Sequence, residues 1–321
     1  MRLMPVIPFL PLAAYEVMPF VTVTDEQLRA IVNRHQLTLD GAIEPMPSNG
    51  VVHSLWSLGH DYVLRVPKSE TMCLGDLRAE VVAIPVARAA GVRTPDLVAF
   101  DDSCDIIDVP YAIVERVYGS DLSRLAHDDA RLPDLFRQLG VQLATLHTAP
   151  VPEPHPWFRV PGTWDVDALL GETVAAGMLD TNAQRFFARV LEETTTDHST
   201  PHTCFLHNDV KPDNMRANQR DALVLIDWGD AGIGDPAHDL AGLRTAAIAQ
   251  ALVGYREIVD PMTDPTLEQR ILHLALSNAL AGLRRSPKTG PSWYRPLAAV
   301  MADLLAFATD HPATWRRWLG R

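Results

Sequence analysis

The sequence predicts a two-lobed α+β protein, with an antiparallel sheet and accompanying helices in residues 1–117 and a mainly helical second lobe in residues 118–321. Three observations lead there. At 321 residues the chain exceeds the usual size of one domain and can bury more than one core. Between residues 42 and 117 the apolar runs are short and are punctuated by Gly, Pro, Asn and Asp, which is the pattern of paired strands. From Pro133 onwards most apolar residues recur instead at helical spacing. An apolar fraction of 47% with 21% charged residues is ordinary globular composition and gives no indication of disorder.

In the first lobe, Thr24 offers a helix N-cap with Asp25 and Glu26 in the first turn, and Leu28, Ile31, Val32 and Leu37 continue as a stripe. Residues 42–67 read as strand, turn, strand, hairpin, strand, with Ser48-Asn49-Gly50 as the turn. A helix follows over Gly75 to Ala90, with Leu77, Val81, Ile84 and Val86 on one face and Gly91 as its stop. Residues 91–100 and Tyr111 to Gly119 supply two more strands.

In the second lobe, Leu135, Phe136, Leu139, Leu143 and Leu146 make a core helix over Pro133 to His147. Residues 150–162 contain five prolines and read as a loop, followed by helices near 165–178 and 182–195. Asp235 caps a helix with Pro236 at its first position, and residues 239–318 are almost wholly helical in pattern. There is no internal repeat.

The chemistry gathers in residues 203–239. Two apolar runs, Cys204 to Leu206 and Leu223 to Ile226, each lead into a carboxylate, which is how a strand end delivers an acid to a cleft. The first opens His207-Asn208-Asp209-Val210-Lys211-Pro212-Asp213-Asn214; the second opens Asp227-Trp228-Gly229-Asp230, then Gly234-Asp235-Pro236 and Asp239. An Asp that accepts a hydroxyl proton, an Asn five residues on and an Asp after the next strand together supply one base and two oxygen ligands for a hard cation. Mg²⁺ takes only one or two carboxylates beside water and phosphate, so Asn214 and Asp227 suffice, and Asp209 is left as the hydroxyl acceptor.

This combination resembles the catalytic core of the aminoglycoside phosphotransferase and choline kinase family, small-molecule relatives of the protein kinases, over about residues 40–245. The resemblance implies a protein-kinase-like fold and transfer of the γ-phosphoryl group of ATP or GTP to a hydroxyl of a small molecule, an aminoglycoside or related antibiotic among the candidates. It implies Asp209 as base, Lys211 neutralising charge on the transferring group, and Asn214 and Asp227 holding Mg²⁺. It further implies a strand cation, Arg65 or Lys68, of which Arg65 is favoured because Pro67 ends the strand, with Glu80 as its partner. Backbone groups from Glu115 to Val117 then meet adenine, and the amides of Ser48 and Asn49 meet the phosphates unless that turn is a plain hairpin. Asp230 adds a supporting contact, His207 orients the loop, and Asp235 and Asp239 brace it. Two rivals stay open: a protein Ser/Thr kinase, and a non-catalytic nucleotide-binding pseudokinase. The short interval from Gly229 to Gly234 leaves no room for a long activation segment, and all three site residues of an active kinase are present.

Asp and Glu outnumber Lys and Arg by 40 to 28, which opposes nucleic acid as a partner. The same balance, with Asp230, Glu257, Asp260 and Glu268, favours a cationic hydroxylated acceptor. Cys73, Cys104 and Cys204 form no disulfide framework, and Pro5, Pro8 and Pro11 break the apolar leader, so a cytoplasmic enzyme with no membrane partner is expected, as monomer or homodimer. His198, His202, Cys204 and His207 fit no common structural-zinc spacing.

Overall fold

The computed structural model describes residues 20–46, 52–126, 128–195, 203–218 and 220–283. Ser48, Asn49 and Gly50 lie outside the described residues, as do the proline-rich leader, His198, His202 and residues 284–321. The chain falls into two compact units, one of Met1–Val82 with Pro95–Arg116 and one of Ala83–Thr94 with Val117–Arg321. Among the described residues no helix is long and apolar enough to cross a membrane.

The first unit opens with helix α1 (Asp25–Arg34). Thr24 Oγ1 accepts the Gln27 N–H at 3.2 Å and Gln27 Oε1 accepts the Thr24 N–H at 2.9 Å, a reciprocal box that satisfies two otherwise orphaned donors. Strands β1 (Ile43–Pro45), β2 (His53–Leu58), β3 (Tyr62–Pro67), β4 (Leu97–Asp101) and β5 (Tyr111–Glu115) form one sheet in the order β1-β2-β3-β5-β4, and every neighbouring pair is antiparallel. Leu28 and Ile31 of α1 share a core with Leu58, Leu64, Val66 and Ile113 of the sheet. Helix α2 (Thr71–Ala89), of which residues 71–82 belong to this unit and 83–89 to the other, begins four residues before the expected Gly75 and continues through Pro85. Full burial of Leu77, Ala83, Ile84 and Ala87 holds the helix across residues of poor propensity, as packing does where it outweighs local preference.

One charged cluster ties the ends of this unit together. Asp101 accepts Arg34 Nη1 at 2.6 Å, Ser103 Oγ at 2.6 Å and the Tyr111 hydroxyl at 3.0 Å, and Tyr111 also meets His35 Nε2 at 3.0 Å. Desolvation works against the Asp101 charge, but the Ser103, Arg34 and Tyr111 bonds outweigh it and hold the carboxyl far below the usual carboxylate range.

The second unit contains β6 (Ser120–Asp121), α3 (Leu132–Thr148), α4 (Val166–Ala175), α5 (Thr181–Thr194), β7 (Cys204–Leu206), β8 (Met215–Ala217), β9 (Leu223–Leu225), β10 (Gly232–Gly234), α6 (Ala237–Ala241), α7 (Thr245–Tyr255) and α8 (Leu267–Leu283). The strands make a three-stranded sheet, β6-β8-β9, and a two-stranded ribbon, β10-β7, all antiparallel. Strands β6, β8 and β10 were not visible in the sequence, because two or three residues are too few to show alternation. The helical pattern expected after residue 239, punctuated by prolines, breaks between α7 and α8 at the stretch that carries Pro261 and Pro265. There Arg256 clasps Glu268 at 2.8 and 2.6 Å, and Arg270 clasps Asp264 at 2.8 and 2.7 Å. Pro236, not Asp235, occupies the cap position of α6, while the Asp235 carboxylate accepts the Ala237 N–H at 2.9 Å.

Helices α3 and α7 cross at backbone contact. A Cβ on Gly140 would lie 1.7 Å from the Ala251 carbonyl oxygen, and one on Gly254 would lie 1.9 Å from that of Arg137. Elsewhere Leu169, Leu170, Leu191, Leu276 and Leu280 join α4, α5 and α8 in a separate core.

Two stability measurements check these assignments. The folded pKa of Asp101 lies below its unfolded value of about 3.9, so its stabilisation is complete above that pH and is lost as pH falls. Asp101→Asn is therefore expected to lower stability by about 1.5–3 kcal/mol at pH 7, the range for hydrogen bonds to a charged group, with the gap to wild type closing below about pH 4 in urea titrations. Gly140→Ala is expected to cost at least about 1–3 kcal/mol by overpacking, read as a lower urea midpoint at unchanged slope.

Candidate active site

The loop between β7 and β8 is shaped from below by a buried carboxylate. Asp239, with no solvent exposure, accepts the His207 N–H at 2.9 Å and the Asn208 N–H at 2.5 Å. His147 Nε2 meets the same carboxylate at 3.0 Å, and its other ring nitrogen meets the Tyr255 hydroxyl at 3.1 Å. Burial opposes the Asp239 charge, but the bonds from His147 and the His207 backbone keep its pKa below the usual value. Asn208 takes a left-handed φ of +64°, a conformation that Asn tolerates better than most residues, and its Nδ2 donates to the Asp230 carbonyl at 3.2 Å.

His207 is fully buried and its pKa is lowered by desolvation, so the ring is neutral at neutral pH. Its Nε2 lies 3.0 Å from the Ile226 carbonyl, which only accepts, so Nε2 carries the proton and Nδ1 is free to accept the Asp209 N–H at 3.3 Å. One neutral imidazole thus links the backbone of Asp209 to the residue before Asp227.

Asp209 and Asn214 come together. Lys211 Nζ lies 2.5 Å from Asp209 Oδ2, and Asn214 Nδ2 donates to the same oxygen at 2.8 Å and to the Asp209 carbonyl at 2.9 Å. Desolvation, with the Asp227 charge adding to it, raises the Asp209 pKa, while Lys211 and Asn214 act in the opposite direction. Burial works against the Lys211 charge, yet the Asp209 carboxylate outweighs it and the Lys211 pKa is raised.

Asp227 reaches this cluster through backbone register. Met215 pairs with Leu225 in the β8-β9 ladder, and the Ile226 N–H donates to the Asn214 carbonyl at 3.0 Å, so Asn214 and Asp227 sit at adjoining ends of two paired strands. Asp227 adopts a φ of +69°, a conformation that costs a non-glycine residue on the order of 1 kcal/mol or more. It is held there by its neighbour Trp228, which is fully buried, stacks on Phe205 at 6.3 Å and donates from Nε1 to Thr94 Oγ1 at 2.8 Å.

Two further carboxylates and two unforeseen cations complete this part. Asp235 receives Arg270 at 2.7 and 3.1 Å, and Asp230 is met by Arg159 Nε at 3.4 Å. The Arg159 N–H donates to the Ala231 carbonyl at 2.9 Å and the Ile233 N–H to the Arg159 carbonyl at 3.0 Å, so the segment read only as a proline-rich loop adds a parallel bridge beside β10. The sequence signal was the spaced pair Gly232 and Gly234. A Cβ at Gly232 would sit 2.0 Å from the Arg159 carbonyl oxygen, and only glycine admits that approach.

Within the first unit, Arg65 of β3 and Glu80 of α2 form an ion pair at 2.8 Å, both largely buried, and Arg65 Nη2 lies 3.3 Å from His53 Nδ1. Lys68 is also buried, its ammonium 4.5 Å from the centre of the Phe20 ring. The Glu115 N–H donates to the Asp96 carbonyl at 2.9 Å, and the Glu115 carboxylate accepts the Asp96 N–H at 3.2 Å. In the second unit the Val117 carbonyl accepts Arg216 Nη1 at 2.9 Å.

A model of the phosphotransferase enzyme family matches residues 48–269, a span that takes in both Arg65 with Glu80 and the whole of the Asp209 to Asp239 stretch. A search of curated proteins finds no match. Among solved structures the chain is similar to the GDP complex of aminoglycoside 2'-phosphotransferase-IIIa, at 21% identity over 87% of this chain and 96% of that one, with a TM-score of 0.57. It is similar to the macrolide 2'-phosphotransferase of Brachybacterium faecium at 20% identity over 92% and 96%, with a TM-score of 0.54. A choline/ethanolamine kinase family protein from Mesorhizobium loti aligns at 17% identity over 92% and 98%, with a TM-score of 0.55. At these identities the likeness establishes the α+β kinase-like fold. Because the family model covers more than half of the chain and contains every strand and loop of the site just described, the chain belongs to the phosphotransferase enzyme family.

Proposed function

We propose that the chain transfers the γ-phosphoryl group of ATP or GTP to a hydroxyl of a small molecule, with Asp209 orienting that hydroxyl and accepting its proton. One observation carries the reading: Asp209 Oδ2 is held by both Lys211 and Asn214, while Asn214 is tied by strand pairing to Asp227. A carboxylate with a raised pKa is a better base, and Lys211 beside it is suited to offset charge on the transferring group.

The donor set fits Mg²⁺. Asn214 uses its amide nitrogen on Asp209, which leaves its carbonyl oxygen as a hard ligand, and Asp227 adds a carboxylate. Among the described residues no three His, Cys, Asp or Glu side chains are grouped to hold an ion by themselves, so these two residues would share the ion with phosphate and water oxygens. When bound, Mg²⁺ neutralises charge on the phosphates.

In the first unit the Arg65–Glu80 pair is suited to hold phosphates, with the Arg fork braced by a buried acid; Lys68 faces an aromatic ring instead. Backbone groups from Glu115 to Val117 are the candidates for meeting adenine, as the family resemblance implies. Ser48 and Asn49 remain candidates for phosphate contact on the sequence pattern alone. Solved neighbours are complexes with GDP, ATP and ADP, which supports a nucleotide donor.

A small acceptor is favoured over a protein because β10 begins at Gly232, directly after Asp227 to Ala231, where a protein kinase would carry a long docking segment. Neighbours bound to kanamycin, gentamicin and streptomycin support a cationic, hydroxylated acceptor. Three free cysteines suit the reducing cytoplasm, where the nucleotide is supplied.

Removal of the two central carboxylates should have different consequences. Asp209→Asn keeps size and polarity but cannot take a proton, so nucleotide binding is expected to persist while turnover falls by ~10²–10⁴. Asp227→Asn is expected to abolish transfer and also to make nucleotide affinity far less dependent on Mg²⁺. Nucleotide titrations of both variants with and without Mg²⁺ check the pair; near-normal turnover by Asp209→Asn would sink its role as base.

A further inference from the structure

Asp227 owes its place to more than its own strand. Its φ of +69° is a conformation that a non-glycine residue keeps where the surroundings over-determine it, and the residue that follows, Trp228, is fully buried. Phe205 and His207 flank the Trp228 ring, with centroids 6.3 and 4.4 Å away. Apolar contact of this kind is non-directional, whereas a hydrogen bond fixes a donor to one point. That bond runs from Trp228 Nε1 to Thr94 Oγ1, 2.8 Å long and buried, and its acceptor lies 134 positions earlier in the chain.

Thr94 is itself firmly placed, next to a residue that supports β9. The Thr94 carbonyl accepts Arg88 Nη1 at 2.7 Å. The neighbouring Arg93 carbonyl accepts the Leu225 N–H at 2.9 Å, and the Arg93 N–H donates to Gln142 Oε1 at 2.8 Å. The buried Gln142 amide in turn donates from Nε2 to the Leu223 carbonyl at 3.0 Å. Leu223 and Leu225, the two ends of β9, are thus tied to Arg93 and Gln142, and all of these residues belong to the second unit. Strand β9 leads directly into Ile226, which bonds the Asn214 carbonyl, and then into Asp227.

We propose that Thr94 is a positioning residue for the Mg²⁺ site: through Trp228 it holds Asp227 in its left-handed conformation, and so keeps that carboxylate where it can share an ion with Asn214. The proposal rests on the phosphotransferase reading above. Thr94 is not one of the groups that would hold the ion, and it acts through the residue next to one that would. Without its hydroxyl the Trp228 N–H loses its fixed point, and Asp227 is free to relax out of the strained conformation. The ion then meets a site whose competent form is only partly populated, which lowers its apparent affinity by that fraction. Nucleotide contacts that need no metal are left as they are.

The test is calorimetric titration of ATP and of GTP into the wild type, Thr94→Val, Thr94→Ser and Trp228→Phe over a series of Mg²⁺ concentrations, with melting curves to show that each variant folds. Thr94→Val keeps the side-chain shape and removes the acceptor. The Mg²⁺ concentration that half-supports nucleotide binding is expected to rise about two- to tenfold, the range for one hydrogen bond, while affinity without Mg²⁺ stays at the wild-type value. Thr94→Ser restores the acceptor and is expected to restore the wild-type Mg²⁺ requirement, even where loss of the methyl group lowers the melting temperature. Trp228→Phe deletes the same bond from the donor side and is expected to give at least the same shift, should the valine variant fold poorly. A Mg²⁺ requirement unchanged in Thr94→Val and Trp228→Phe overturns the proposal. An equal loss of affinity with and without Mg²⁺ overturns it as well, because Thr94 would then serve the core alone. Wild-type binding that ignores Mg²⁺, or no binding of either nucleotide, removes the phosphotransferase reading and the proposal with it.

Discussion

The Asp239 carboxylate is the interaction on which the rest of the site depends. An unpaired charge with no solvent exposure would be very unfavourable, and this one is offset by two backbone N–H groups and the His147 ring. Those two N–H groups belong to His207 and Asn208, so the anion forces the chain to turn immediately before Asp209. The left-handed Asn208, the aim of the Asp209 side chain and the His207 link to Ile226 all follow from that turn. A loop lacks the repetitive bonding of a helix or strand; here a single buried anion takes its place.

Above that anchor the site concentrates like charges. Asp209, Asp227 and Asp230 lie within one another's fields, and Lys211 and Arg159 offset them. Three carboxylates so close repel, which is part of why the Asp209 pKa rises. Away from the loop, Glu257, Glu268 and Asp235 are each clasped by an arginine through two bonds.

The sequence showed most of what is local. The Thr24 cap, the antiparallel first-lobe strands, the long helices and the short apolar runs before Asp209 and Asp227 are each encoded within a few neighbouring residues. Contacts between distant segments were not legible. Nothing near Gly140 indicates that Ala251 will press on it, and nothing in the 150–162 run indicates that Arg159 will lie beside Asp230. Short strands such as β8 also escaped, because three residues show no period, yet β8 is what sets Asn214 against Asp227. Helix α2 was mistimed for the opposite reason: Gly75 and Pro85 are strong local signals that burial on the helix face overrules.

The contact at Gly232 has a bearing on how the protein could be re-engineered. The carbonyl of Arg159 rests where a side chain on Gly232 would otherwise be, and the Pro161 ring lies 2.8 Å from where a Cβ on Gly234 would sit. The proline-rich segment and the stretch that follows Asp227 therefore form one mould and cast. A graft that exchanges residues 157–161 for a loop of another length, in the hope of changing acceptor choice alone, would also disturb the chain leading out of Asp227. The exchangeable module is the pair of segments together, with both glycines kept.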